Sequence, residues 1–93
     1  MNNEEHNSVN HRGRMDIIAD IISASVGGIK KTHLMFQCNL SFRQMKSYSH
    51  FLIKRGFLRI VVKEDDVNNG SFEATEKGKQ FLKAYKGLKS LMQ

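Results

Sequence analysis

Apolar residues recur at helical spacing in four stretches of the chain, and a dense β-branched run separates the third stretch from the fourth. Ile17, Ile18, Ile21, Ile22 and Ser25 mark the inner face of a first helix over about 13–26, which Gly27-Gly28 ends. Asp16 and Asp20 fall on its polar face or near its positive end. Ile29 then reads as an isolated strand position. Leu34, Met35 and Cys38 form the apolar edge of a second helix over about 31–38, followed by a turn at Asn39-Leu40. Ser41 and Gln44 make a capping box at the head of a third helix over about 42–55. Its inward stripe is Met45, Tyr48, Phe51 and Leu52, with Phe42 packed against the first turn, and Gly56 ends it. The run Phe57-Leu58-Arg59-Ile60-Val61-Val62-Lys63 reads as a strand. Asn69-Gly70 marks a hairpin turn, because both residue types tolerate positive φ, and residues 71–74 return as the second strand. Thr75 caps a fourth helix that runs to about Met92, with Phe81, Ala84, Tyr85, Leu88, Leu91 and Met92 along one face. Gly78 lies inside that helix against its propensity, which a close approach to another backbone would explain. The order predicts an α+β, mostly helical fold: a three-helix core, a β-hairpin and a C-terminal helix.

A chain of 93 residues, 40% apolar, makes one small domain with a thin core, a size at which oligomerisation often adds stability. Residues 1–12 lack apolar periodicity and predict a flexible N-terminal tail, leaving 13–93 as the domain. His6, His11, Arg12 and Arg14 could touch a phosphate backbone, although a solvated tail is the simpler reading. The N-terminus lacks the apolar segment of a signal peptide, and no run approaches the roughly 18–20 residues that span a bilayer, so no membrane partner is expected. Cys38 is the chain's one cysteine and reads as a buried core thiol; its isolation fits a reducing, cytoplasmic setting.

Charge changes the picture most. Residues 30–63 hold eight Lys and Arg (Lys30, Lys31, Arg43, Lys46, Lys54, Arg55, Arg59 and Lys63) and no Asp or Glu. The whole chain carries +6, so this stretch accounts for all of the excess. A helix, a turn and a longer helix inside a concentrated positive field point to double-stranded DNA as the partner and to a nucleoid-associated protein. Arg43 suits bidentate contact with guanine, and Gln44 suits adenine if the cap leaves it available. Lys46, Ser47, His50 and, near the helix end, Lys54 share the outward face of the third helix, with Ser41 at its head. Lys30, Lys31 and Thr32 open the second helix and suit phosphates. Lys63 and Asn69 would act from the hairpin, while Glu64, Asp65 and Asp66 argue against its deep insertion into a groove.

The stretch Asn39-Leu40-Ser41-Phe42-Arg43-Gln44-Met45-Lys46-Ser47-Tyr48, followed by Phe51-Leu52 and Lys54-Arg55-Gly56-Phe57-Leu58, resembles the small archaeal winged helix-turn-helix DNA-binding proteins. Ala74-Thr75-Glu76-Lys77-Gly78 resembles the segment that leads from the wing into the last helix of that family, with Ala74 where a larger apolar residue is usual. The resemblance covers about residues 14–92. It implies a winged helix with the hairpin as wing, a DNA-binding or transcription-regulating role, and often a homodimer joined through the last helix.

The stripe on the fourth helix admits two readings from the residues themselves. It completes the core over the first helix, or Phe81, Tyr85, Leu88, Leu91 and Met92 pair with a second copy; the dimer is favoured, because a helix projecting past a small domain would expose them. A protein-interaction module and a non-specific architectural chromatin protein stand as the alternative functions. His6, His11, His33 and His50 are scattered and Cys38 has no companion at ligand spacing, so no metal is expected. No phosphate loop and no nucleophile–base–acid set is present in the sequence, so neither a cofactor nor an enzymatic activity is expected.

Overall fold

The computed structural model describes residues 12–63 and 66–93. Among these, chain order gives α1 (Arg14–Ala24), β1 (Ile29–Lys30), α2 (Lys31–Gln37), α3 (Phe42–Lys54), β2 (Leu58–Lys63), β3 (Asp66–Ala74) and α4 (Glu76–Leu91). The strands form one antiparallel sheet in the order β1-β3-β2. The architecture is the expected α+β winged helix.

The inner face of α1 supplies much of the core. Ile17, Ile18, Ile21 and Ile22 meet Leu34 and Cys38 of the second helical segment, Leu40, Met45 and Leu52 around α3, and Ile29, Leu58, Phe72 and Ala74 from the sheet. Ser25 is fully buried just past α1, and its polar groups are all used. Its Oγ donates to the Ile21 carbonyl (2.7 Å), and its own carbonyl accepts from the Ala74 N–H (2.9 Å). The end of α1 is thereby sewn to the end of β3, beside the small Ala74.

Two local devices set the helix-turn-helix. Asn39 takes a left-handed conformation (φ 54°), which Asn tolerates better than most residues, and turns the chain out of α2. At the head of α3 the Gln44 N–H donates to Ser41 Oγ, and the Ser41 N–H donates to Gln44 Oε1, both at 3.0 Å. The capping box is therefore reciprocal and satisfies two otherwise orphaned donors. The inward line of α3 is Met45, Ser49 and Leu52, while Tyr48 and Phe51 are half-buried on its flank. Ser49 Oγ donates to the Lys46 carbonyl at 3.2 Å, so its burial leaves no orphaned hydroxyl.

The wing departs from expectation. β2 and β3 pair as far as Lys63 opposite Asp66, so the connection falls at residues 64–65 and not at Asn69-Gly70. Gly70 lies within β3, buried, near a register irregularity between Val61 and Lys63. A Cβ there would stand 3.2 Å from Ile60 Cγ2 and 3.6 Å from Val62 Cγ2. The glycine makes room for neighbouring aliphatic side chains where the ladder bulges, as glycine within a strand often does. The side chains of Lys63 and Asn69, and all of residues 1–11 and Glu64-Asp65, lie outside what is described.

α4 starts against the turn between α3 and β2. Thr75 Oγ1 accepts from the Gly78 N–H (3.1 Å) as an N-cap and donates to the Gly56 carbonyl (2.5 Å). The Thr75 N–H donates to the Phe57 carbonyl at 3.0 Å. Gly78 is the close-approach glycine that its position in a helix implied: a Cβ would sit 2.3 Å from the Phe57 oxygen. Further on, the Phe81 ring packs on Phe57, centroids 5.3 Å apart, and Tyr85 stacks on Phe81. α4 runs along α1, where the Tyr85 hydroxyl donates to Asp16. That carboxylate also accepts from the Gly13 N–H (3.2 Å), with Lys89 at 3.8 Å.

Candidate nucleic-acid interface

Helical periodicity, once α3 is seated by Met45, Ser49 and Leu52, decides which of its side chains reach solvent. Arg43, Lys46, Ser47 and His50 are exposed and, with Phe42, line an open depression of about 500 Å³. A second depression of about 210 Å³ lies between the starts of α2 and α3 and the wing, lined by Lys30, Lys31, Thr32, Met35, Phe42, Met45 and Gly70. A third, of about 360 Å³, has Arg14, Arg43, Gln44, Ser47, Tyr48 and Phe51 in its wall. Phe42 is common to the first and second, and Arg43 and Ser47 to the first and third. The three thus form one band around the N-terminal half of α3, and among the described residues neither Asp nor Glu lines any of them.

The sequence-derived residues are distributed unevenly over this surface. Arg43, Lys46, Ser47 and His50 come together as expected, and Lys30, Lys31 and Thr32 join them across the second depression. Ser41 and Gln44 are engaged in the cap, with the Gln44 amide oxygen taken and its amide NH₂ left outside that pair. The Lys31 ammonium lies 5.7 Å from the centre of the Phe72 ring, drawn toward the sheet. Lys54 is exposed at the far end of α3, away from the three depressions.

Arg14 belongs here although it was read with the tail. Its guanidinium stands 5.1 Å from the centre of the Phe51 ring, on the wall it shares with Arg43. The helical register from Ile17 back to Arg14 carried that signal. Arg12 does the opposite: it pairs with Asp20 (2.8 Å) and donates to the Cys38 carbonyl (2.7 Å), bracing α1 against the helix-turn-helix. Phe42 was expected to pack against the first turn of α3, yet it is 63% exposed. The inward line 45, 49, 52 does lead back to 42, but the first turn of α3 overhangs the core. Phe36, 84% exposed on α2, is a second bare aromatic ring, and nothing in the structure explains it.

A winged helix-turn-helix family model matches residues 11–93. The chain belongs to the winged helix-turn-helix family. The uncharacterized protein MJ0287 of Methanocaldococcus jannaschii is 32% identical over 92 residues, spanning 98% of this chain and 88% of that one. Among solved structures, the DNA-binding protein Sso10a-2 of Sulfolobus solfataricus is similar with a TM-score of 0.73 at 24% identity, over 87% of this chain and 82% of that one. The S. aureus MepR–DNA complex shows the same fold with a TM-score of 0.72 at 9% identity, over 96% and 73% of the two chains. At these identities the solved structures speak to the winged-helix fold alone.

Other chemistry has little to build on among the described residues. Cys38 is buried, its Sγ 3.6 Å from the Asp20 carbonyl, and burial pushes its thiol up, away from the reactive thiolate. No group of three His, Cys, Asp or Glu side chains is gathered there in a way that would hold a metal ion. No helix among them is long and apolar enough to cross a membrane.

Proposed function

We propose that this protein binds duplex DNA as a transcriptional regulator, with the N-terminal half of α3 in the major groove. The observation that carries the reading is the cationic band, without an acid among the described residues that line it, formed by Arg43, Lys46, Ser47 and His50 with Lys31, Thr32 and Arg14. A recognition helix contacts base edges from its N-terminal residues, and flanking cations hold phosphates and fix the register. Arg43 reads guanine; Lys46 and His50 bind bases or phosphates; Lys30, Lys31 and Thr32 hold the backbone beside α2. Gln44 keeps its oxygen in the cap and donates from its NH₂ group. Lys54, Lys63 and Asn69 contribute at the margins, through the end of α3 and the wing. Sso10a-2 is a DNA-binding protein and MepR is solved in complex with DNA, and their shared fold supports the same reading.

Residues 13–93 act on this reading as one domain, cytoplasmic and nucleoid-associated, in which α4 also joins two copies. Phe81 and Tyr85 already pack within their own domain, so the interface falls to Leu88, Leu91 and Met92, which are exposed at the end of α4. Two copies would present two α3 helices to a two-part site. The bare Phe36 ring favours protein interaction as the second reading.

Affinity for duplex DNA, measured by fluorescence anisotropy across a salt series, tests the proposal. Arg43→Ala should weaken binding to the preferred site by about 1–3 kcal/mol, and Lys46→Ala should reduce the salt slope by about one phosphate. Unchanged affinity in the double variant would remove α3 as the recognition element. Absence of binding at low salt would favour the protein-interaction reading.

A further inference from the structure

The exposed face of α3 holds one large apolar group, and it stands at the start of the helix. Phe42 is the first residue of α3 and is 63% exposed. Its ring lines both the depression with Arg43, Lys46, Ser47 and His50 and the one with Lys31, Thr32 and Gly70. The Lys46 ammonium lies 6.0 Å from the centre of the ring, one helical turn on. An isolated surface aromatic needs no special cause. This one is flanked by Arg43 and Lys46 on the helix that the proposed function sends into the groove. An apolar surface of a partner protein would have to desolvate Arg43 and Lys46 to reach it, whereas a polyanion gains by approaching them.

A DNA duplex offers such a ring one apolar partner in the major groove, the C5-methyl group of thymine. We infer that Phe42 is a specificity-determining residue that contacts a thymine methyl beside the base read by Arg43. The inference rests on the DNA-binding reading and gives it a sequence preference. Neighbouring positions on the helix then divide the work: Arg43 selects by hydrogen bonds, and Phe42 selects by excluding water from a methyl group. Cytosine lacks that methyl and presents an amino group in the same region, so it leaves the ring against a polar edge.

Replacing thymine by deoxyuridine removes the methyl and leaves the pairing intact. The full-length chain is first given a preferred duplex by selection from random sequence, and each thymine is then replaced singly. At one or two positions the wild type should lose about fourfold in affinity, the partition gain of one buried methyl. Phe42→Ala should bind the thymine duplex about as weakly as the wild type binds the deoxyuridine duplex, and should not distinguish the two. Placing 5-methylcytosine where cytosine replaces that thymine should recover part of the loss in the wild type alone. Phe42 is exposed, and unchanged thermal melting of the variant would show that the fold is kept. Salt-sensitive binding that ignores every methyl, or methyl sensitivity that survives in Phe42→Ala, overturns the inference and leaves the DNA-binding reading standing. No duplex binding at low salt overturns both.

Discussion

Replacing Gly78 by alanine should destabilise the fold even though alanine is the better helix former. The new Cβ would stand 2.3 Å from the Phe57 oxygen and 3.2 Å from its carbonyl carbon. An ordinary contact needs roughly another ångström, and that oxygen is backbone, with no rotamer to swing away. α4 would have to lift from the turn between α3 and β2. Lifting it stretches the hydrogen bond from the Thr75 N–H to the Phe57 carbonyl, now 3.0 Å, and loosens the Phe57–Phe81 contact. Overpacking costs about 1–3 kcal/mol. The lost hydrogen bond adds about 1 kcal/mol, and the gain in helix propensity offsets about 1 kcal/mol. The net expectation is a loss of about 1–3 kcal/mol, or a fall in Tm of roughly 4–8 °C for each kcal/mol. Gly87 in the same helix is the internal control, since a Cβ there meets nothing within 4 Å. Gly87→Ala should raise stability by up to about 1 kcal/mol. Thermal and urea unfolding followed by circular dichroism gives both values. A Gly78→Ala protein as stable as the wild type, or more so, would refute the close approach as the reason for the glycine.

The Tyr85–Asp16 contact predicts a pH signature. The hydrogen bond to Asp16 pushes Tyr85 from 10.0 up to about 12, with burial adding to it, while that hydroxyl, the Gly13 N–H and Lys89 hold the Asp16 carboxyl below 3.8. The stabilisation from Tyr85 is complete below pH 10.0 and lost as pH climbs through about 12; that from Asp16 is present above pH 3.8 and lost as pH falls below it. Tyr85→Phe should flatten both limbs of the stability–pH curve, and tyrosinate absorbance in Tyr48→Phe, which leaves Tyr85 alone, should show a midpoint well above 10.0. For the dimer, Leu88→Glu with Leu91→Glu should convert a dimeric wild type to monomer in sedimentation equilibrium, weakening association roughly a hundredfold or more at about 1.5–3 kcal/mol per buried leucine. A monomeric wild type at tens of micromolar would refute the pairing of α4.

The cap of α3 constrains what this helix can read. Gln44 is hydrogen-bonded to Ser41 in both directions, so its full amide is available to an adenine only if the helix gives up its N-terminal cap, which costs about 1 kcal/mol. Arg43 and Phe42, adjacent and uncommitted to the cap, are the economical pair for base contact. The same cap positions them, because it sets the residue at which helical geometry begins.

Much of this protein was settled by local signals along the chain. The isoleucine stripe of α1, the capping box at Ser41, the breaks at Gly27-Gly28 and Gly56, and Thr75 before α4 each act within a few residues. Spacing alone therefore located the helices. The cationic centre was equally legible, since a stretch with eight Lys and Arg and no acid must place its charge on the surface of so small a domain. What needed the tertiary structure was every choice between two locally acceptable outcomes. Asn69-Gly70 suits a turn, but pairing of Lys63 with Asp66 put the connection at 64–65 and left Gly70 to make room for Ile60. Phe42 and Phe81 both lie on apolar stripes, yet Phe42 overhangs the core and Phe81 meets Phe57 across the α3–β2 turn. Arg12 and Arg14 stand on either side of the Gly13 cap, and the start of α1 there sends one to brace the helix and the other to the wall beside Arg43. Periodicity assigns a side chain to a face. Where the core ends along that face, and which backbone comes within 3 Å of it, is decided by distant segments meeting, and no window of sequence contains that distance.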